Sequence, residues 1–132
     1  MIKEKFTILK EYMKAGISPL LIEEIPSEML ESAIVLEADC DVSLLNGRYE
    51  GIEFVAPVWY EELKQLCIEK HGILVIQNIQ KIPVQEQTKF IELFKYKKIS
   101  TFDLPKNCTI LVTSSSKEYP IAEEVYTLMA HI

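Results

Sequence analysis

Short runs of apolar residues alternate with longer amphipathic segments along this chain. Three of the runs, residues 19–22, 72–76 and 108–113, are almost continuously apolar and are followed by polar residues. Such runs are typical of strands that are buried on both faces of a sheet. Because helical patterns lie between them, the sequence predicts an α/β fold, a three-layer αβα sandwich with a mostly parallel sheet.

Helical spacing recurs on both sides of these runs. A first helix places Phe6, Leu9, Tyr12 and Met13 on one face and is expected to end near Gly16. Four further helices are predicted. The first is capped by Ser27 and buries Leu30, Ala33, Ile34, Leu36 and Ala38, and the second is opened by Pro57 and buries Trp59, Leu63, Leu66 and Cys67. The third is opened by Pro83 and buries Phe90, Ile91 and Phe94, and the fourth is a terminal helix over residues 121–131.

Two hairpins are predicted between these elements. The dipeptide Asn46-Gly47 is a strong turn signal, and it lies between a weaker strand candidate, "CDVSLL", and a second arm, "IEFVAP". The stretch "KKISTFDLP" indicates a smaller hairpin. We find no internal repeat and no linker, so residues 1–132 are interpreted as a single domain.

The amino-acid composition makes some classes of function unlikely for this chain. The chain has 132 residues, 48% hydrophobic and 26% charged, which is typical of globular proteins. Its net charge of −6 makes general nucleic-acid binding unlikely, since phosphate-backbone contacts rely on clustered lysines and arginines. No apolar run is long enough to span a membrane, and the charged N-terminal segment does not resemble a signal peptide. A cytoplasmic location is therefore expected.

The usual catalytic and metal-binding patterns are missing from the sequence. Cys40, Cys67 and Cys108 are far apart and form no Cys-x-x-Cys pair, so we expect reduced, buried thiols. With only His71 and His131 in addition, no metal site is expected. A G-x-S-x-G nucleophile motif is also absent. Neither an enzyme activity nor a cofactor is predicted.

Three stretches of the chain resemble, in order and spacing, the core domain of the AAA+ ATPases, in particular the MoxR-type branch. They are "APVWYEEL", "GILVIQNIQKIPVQEQTKFIELF" and "KKISTFDLPKNCTILVTSS". The likeness is best from Gly47 to Ser115, and the N-terminal third follows by order and spacing only. The resemblance implies a P-loop NTPase-like core. The helical lid domain usual in that family is missing, so the chain is interpreted as a degenerate AAA+-like domain.

The phosphate-binding loop that the resemblance implies has lost its chemistry. Its pattern G-P-P-G-x-G-K-S needs glycines for close backbone approach, a lysine for charge and a hydroxyl for magnesium. Aligned to it, Glu24, Ile25, Pro26 and Ser27 stand at G-P-P-G, and Leu30 and Glu31 stand at the lysine and hydroxyl positions. Neighbouring glutamates would also repel a polyphosphate. The sequence predicts no phosphate site here.

The strand that ends at residue 77 has also lost its expected acidic pair. In the family an Asp holds magnesium and a Glu polarises water, whereas this chain has Gln77 and Asn78. An amide carries no charge and cannot act as a general base at neutral pH. Ser115 stands where the family usually has a polar sensor residue. It is either a remaining hydrogen-bonding group or simply a loop serine.

Two functional hypotheses remain open from the sequence. The first is a catalytically inactive module that binds a protein partner, either an active ATPase subunit or a second copy of itself. The second is a ligand site for a small molecule or a nucleotide base at Gln77, Asn78 and Ser115, where parallel strands end. Lys95, Lys97 and Lys98 form a basic cluster at the small hairpin, either as contact residues or as lysines that protect a sheet edge.

Overall fold

A five-stranded parallel sheet forms the centre of the computed structural model, which describes residues 2–132 and the side chains from residue 6 onward. The strands along the chain are β1 (Leu20–Ile22), β2 (Ala33–Glu37), β3 (Arg48–Glu50), β4 (Glu53–Val55), β5 (Gly72–Gln77), β6 (Lys98–Ile99), β7 (Phe102–Asp103), β8 (Cys108–Thr113) and β9 (Ala130–His131). The sheet order is β2-β5-β8-β1-β9, and every neighbouring pair is parallel. The predicted α/β class with a parallel sheet is confirmed.

Residues 2–132 also contain six α-helices and three short 3-10 helices, of which all but the first α-helix lie between strands. The α-helices are α1 (Ile2–Lys14), α2 (Val42–Asn46), α3 (Val58–Glu69), α4 (Val84–Gln87), α5 (Ile91–Tyr96) and α6 (Glu123–Tyr126). The 3-10 helices are Ser27–Ser32, Ile79–Lys81 and Thr88–Phe90. None of the described helices has the length and apolar character needed to cross a membrane.

Apolar side chains cover both faces of the sheet. Successive residues of a strand point to opposite faces, so Leu74 and Ile76 of β5 lie on one face and Ile73 and Val75 on the other. The first face packs against α3, α5 and α6, and the second against α1 and Met29. The prediction of a buried apolar strand at residues 72–76 is therefore confirmed.

The prediction of a helix that follows Ser27 is wrong. Residues 27–32 form a 3-10 helix, which Ser27 does not cap through its side chain, and residues 33–37 form β2. Ile34 and Val35, both β-branched, suit a strand, and β2 pairs with β5 over its whole length. Helical spacing and a short strand coincide in this stretch, and the hydrogen-bonding partner selects the strand.

Three smaller predictions also need correction. The stretch "CDVSLL" contributes to helix α2, and Gly47 ends that helix with φ 92°, so the hairpin β3–β4 turns at Gly51. The helix opened by Pro83 is split into α4, a 3-10 helix and α5. The terminal helix is reduced to α6, because residues 130–131 pair with β1 instead.

The other sequence-based elements agree with the structure. Helix α1 buries Leu9, and α3, which begins after Pro57, buries Trp59, Leu63 and Cys67. The small hairpin is formed by β6 and β7. Its Phe102 stacks on Phe54 of the larger hairpin, with ring centroids 6.0 Å apart.

Candidate functional site

The carboxyl ends of three neighbouring strands bring the predicted site residues together. Gln77 ends β5 and pairs with Glu37 at the end of β2, and Thr113 ends β8 on the other side of β5. Asn78 follows β5 directly, and Ser115 follows β8 by two residues. Parallel strands end at the same edge of a sheet, so the convergence predicted for Gln77, Asn78 and Ser115 follows from the topology.

Three polar residues at this edge each hydrogen-bond to Asn78, and we call Glu37, Asn78, Thr113 and Ser115 the carboxyl-edge cluster. The Asn78 side chain donates through Nδ2 to Glu37 Oε2 at 3.3 Å and accepts from Ser115 Oγ at 2.5 Å. Its backbone N–H donates to Thr113 Oγ1 at 3.0 Å. Both ends of the amide are thus engaged by neighbouring side chains at the surface of this edge.

The backbone of Asn78 is left-handed, with φ 63° and ψ 53°. Asparagine is one of the few residues other than glycine that adopts this conformation readily. The conformation turns the chain from β5 into the 3-10 helix Ile79–Lys81 and points the Asn78 amide between Glu37 and Ser115. A structural role therefore accounts for an amide at this position.

Sequence reasoning missed two members of the carboxyl-edge cluster, Glu37 and Thr113. The helical spacing predicts a helix at Glu37, although Glu37 follows the apolar run 33–36 as Gln77 follows the run 72–76. That parallel was the available signal. Thr113 closes an apolar strand and is buried, and no local pattern marks its hydroxyl as a partner of Asn78.

The residues aligned with the phosphate loop do not form a loop that cradles an anion. Pro26 precedes the 3-10 helix Ser27–Ser32, and the backbone N–H of Met29 donates to Pro26 O at 3.0 Å. Met29 is buried against the second face of the sheet. The side chains of Glu24, Ser27, Leu30 and Glu31 are exposed.

A glutamine that the sequence analysis did not single out holds the segment that carries Ser115. Gln87 of α4 is fully buried, and its Nε2 donates to Ile82 O at 3.1 Å and to Pro120 O at 2.8 Å. Its Oε1 accepts from the backbone N–H of Ala122 at 2.7 Å. All three contacts are to backbone groups, so Gln87 ties the segment after β8 to α4.

The three lysines of the predicted basic cluster do not lie together on the hairpin. Lys95 is in the last turn of α5, Lys97 follows α5 with a left-handed backbone, and only Lys98 belongs to strand β6. Lys97 Nζ donates to Phe94 O at 3.0 Å, and burial lowers the pKa of its ammonium group. The sequence cluster is thus divided among a helix, its cap and a strand.

Two cavities are found away from the carboxyl-edge cluster. One of about 540 Å³ lies at the opposite, amino end of the sheet, and one of about 340 Å³ lies beside Tyr60 and Ile68. Gln77, Asn78 and Ser115 line neither of them. No group of three or more His, Cys, Asp or Glu side chains is positioned to hold a metal within the described residues.

The three thiols are not activated by their surroundings. Burial raises the pKa of Cys40, Cys67 and Cys108, that of Cys108 to about 12. The thiolate is the nucleophilic form of cysteine, so these side chains are poor nucleophiles at neutral pH. All three are free cysteines; Cys67 is buried as predicted, whereas Cys40 and Cys108 are only partly buried.

Comparison of the chain with models of known families, with curated proteins and with solved structures finds no match.

Proposed function

We propose that this chain is a catalytically inactive, AAA+-like domain that works through contacts with other proteins. The fold is compatible with that class because β1, β5 and β8 are neighbours in the sheet. These are the strands that, by the resemblance, lead into the phosphate loop, the acidic pair and the sensor position. A nucleotide site needs these three positions close together, and the sheet order brings their strands side by side.

The observation that carries the proposed inactivity is the carboxyl-edge cluster. At the positions where the family manages metal and water, Asn78 is hydrogen-bonded to Glu37 and Ser115. Catalysis there would require free groups that can bind Mg²⁺ and polarise water. An amide whose two ends are engaged by neighbouring side chains supplies neither function.

The phosphate-loop segment supports the same conclusion. Leu30 replaces the lysine, Glu31 replaces the hydroxyl, and the exposed side chains of Glu23, Glu24 and Glu28 add negative charge nearby. A 3-10 helix of six residues replaces the longer helix whose N-terminus would attract phosphate. Charge and backbone geometry both oppose polyphosphate binding.

The alternative hypothesis, a small-molecule site at Gln77, Asn78 and Ser115, gains no support from these contacts. Two of the three side chains are engaged with each other, and none of the three lines the cavity at the amino end of the sheet or the one beside Tyr60. Ligand pockets are normally concave, with polar groups free to orient the ligand. We therefore favour protein contact over ligand binding at this edge.

Exposed apolar side chains on α2 and the β3–β4 hairpin support a protein partner. Ile52 at the hairpin turn is 99% exposed, Tyr49 is 71% exposed, and Val42 and Leu44 are more than half exposed. Exposed apolar side chains that lie close together often mark sites of protein contact, and these four fall between residues 42 and 52. The partner is either an active ATPase subunit or a second copy of this chain.

Nucleotide binding can be tested by isothermal titration of the chain with Mg·ATP and Mg·ADP. We expect no saturable heat and no thermal stabilisation that depend on Gln77 or Leu30, since ligand binding at the carboxyl edge would raise the melting temperature by mass action. A saturable response that Gln77→Ala or Leu30→Ala abolishes would refute the proposed inactivity. A response that these variants leave unchanged would place the nucleotide away from the carboxyl edge of the sheet.

The protein-contact part needs a separate test. Light scattering over a concentration series measures self-association, and co-purification from native cells identifies other partners. We expect Ile52→Ser to weaken whichever association is found, while Ile68→Ser, a matched change at a 74% exposed isoleucine on α3, leaves it unchanged. Equal effects of the two variants, or no effect of either, would contradict a contact through the hairpin.

A further inference from the structure

The larger cavity lies at the amino end of the sheet, opposite the carboxyl-edge cluster. Its wall is built by the end of α1 and the turn after it (Met13, Lys14, Gly16 and Ser18), by His71 before β5, by Lys97 after α5 and by the segment 104–110 that leads into β8. The end of α1, His71 and the stretch 97–110 are far apart in sequence and meet only in the folded chain. The volume of about 540 Å³ is within the range of about 300–1,000 Å³ typical of small-molecule sites.

The charged side chains that line this cavity are positive, whereas the net charge of the whole chain is negative. The chain has 20 acidic and 14 basic residues, yet three lysines, Lys14, Lys97 and Lys106, line the cavity. No Asp or Glu is among the described residues of its wall. Like charges gathered in one concave site raise the local potential and attract counter-ions.

Lys97 is the most constrained of these cations. It is half-buried, its backbone is left-handed with φ 55°, and its Nζ donates to Phe94 O. None of the ion pairs found among the described residues involves Lys97, Lys14 or Lys106. Desolvation lowers the pKa of Lys97, and a bound anion would offset that cost by favouring the charged form.

Further hydrogen-bonding groups complete the wall. His71 Nε2 and Thr109 Oγ1 are 2.7 Å apart, and Ser18 Oγ accepts the backbone N–H of Ile110 at 2.9 Å. Asn107 donates to the backbone oxygens of Cys67 and Lys70, which fixes the loop that carries Lys106. The cationic side chains are therefore attached to a wall that internal hydrogen bonds hold in place.

We propose that this cavity binds a small anionic ligand that carries phosphate or carboxylate groups. Lysines bind such groups as point charges, and several of them around one concavity favour a ligand with more than one negative charge. A compact ligand suits the site better than a protein surface, because the cations line a cavity and not a flat patch. The site lies away from the degenerate nucleotide positions and does not depend on the proposed function.

The test is a titration of the ¹⁵N-labelled chain with inorganic phosphate and, separately, with citrate, at an ionic strength held constant with sodium chloride. We expect saturable shifts of the backbone amides of Lys97, Asn107 and Thr109. The amides of Ser114 and Ser115 at the other end of the sheet should not respond. Sodium chloride alone should not reproduce the shifts.

Charge-neutral variants identify the cations that bind. Lys97→Gln keeps most of the side-chain length and should weaken binding about tenfold, the effect of losing one charge-assisted contact. Lys14→Gln combined with Lys106→Gln changes two exposed residues, so the fold is spared and affinity should fall by a similar factor. Lys117→Gln, which removes the same charge after the carboxyl end of β8, is the matched control and should bind as the unchanged chain does.

The results decide between the assignments. Shifts that chloride reproduces, shifts spread over the whole surface, or equal weakening by Lys117→Gln would overturn the proposal. Saturable binding of a glutamate-rich peptide to the same amides, without any response to phosphate or citrate, would also overturn it and would indicate an acidic protein segment as the occupant.

Discussion

Removing the Gln87 side chain offers the sharpest test of how the segment after β8 is held. Gln87→Ala deletes three hydrogen bonds, to Ile82 O, Pro120 O and the backbone N–H of Ala122. At about 1 kcal/mol for each bond, the free energy of unfolding should fall by about 3 kcal/mol. The loss could be larger, since the three backbone groups would be left unsatisfied.

The same change can be expressed as a melting temperature. With an unfolding entropy of about 2.1 cal/mol/K per residue, a chain of 132 residues loses about 3.6 °C for each kcal/mol, so Gln87→Ala should melt about 10 °C lower. Calorimetry and urea unfolding both measure this. The exposed neighbour Gln85→Ala is the control and should change stability by less than about 0.5 kcal/mol.

A third variant separates hydrogen bonding from packing. Gln87→Leu restores most of the buried volume but none of the three hydrogen bonds, so it should remain nearly as unstable as Gln87→Ala. If Gln87→Leu is as stable as the unchanged chain, the hydrogen-bond argument fails. In that case the burial of Gln87 would serve packing alone.

Three further predictions concern other parts of the fold. Gly72→Ala should cost about 1–3 kcal/mol in urea unfolding, because its Cβ would lie 2.5 Å from Cys67 Sγ, and adding Cys67→Ala should recover part of that loss; no recovery would contradict the steric account. Asn78→Ala should destabilise more than Asn78→Gly, since both lose the bond from Ser115 but only alanine is strained at φ 63°; equal urea midpoints would refute this. The pKa of Cys108 is about 12 in the folded chain against a usual 9.0, so its neutral thiol stabilises the fold fully below pH 9 and progressively less from pH 9 to 12. The urea midpoint should therefore fall as the pH rises from 9 to 12, and it should fall less steeply in Cys108→Ala. Equal slopes for the two proteins would count against this prediction.

The local pattern of the sequence was sufficient where an element is continuous and fully buried. The apolar runs that became β1, β5 and β8, and the helical face of α3, were predicted correctly because burial on the sheet requires that pattern. The meeting of Gln77, Asn78 and Ser115 was also predictable. Strands that are parallel and adjacent must end at one edge, so the residues that follow them lie close together.

The tertiary structure alone decided the ambiguous elements. Residues 33–37 fit helical spacing and a strand equally, and pairing with β5 selected the strand. Residues 130–131 extend the sheet because β1 offers a free edge. Hydrogen bonds between strands join residues that are tens of positions apart, and a local pattern carries no record of such partners.

The same distinction between sequence and tertiary structure applies to the functional groups at the two ends of the sheet. The sequence by itself places the uncharged residues Leu30, Gln77 and Asn78 at the positions that the resemblance assigns to charged groups. Only the fold showed that Glu37 and Ser115 engage Asn78, and that lysines from separate segments surround one cavity. Residue identities fix which chemical groups are present locally, whereas distances between side chains depend on how the whole chain packs.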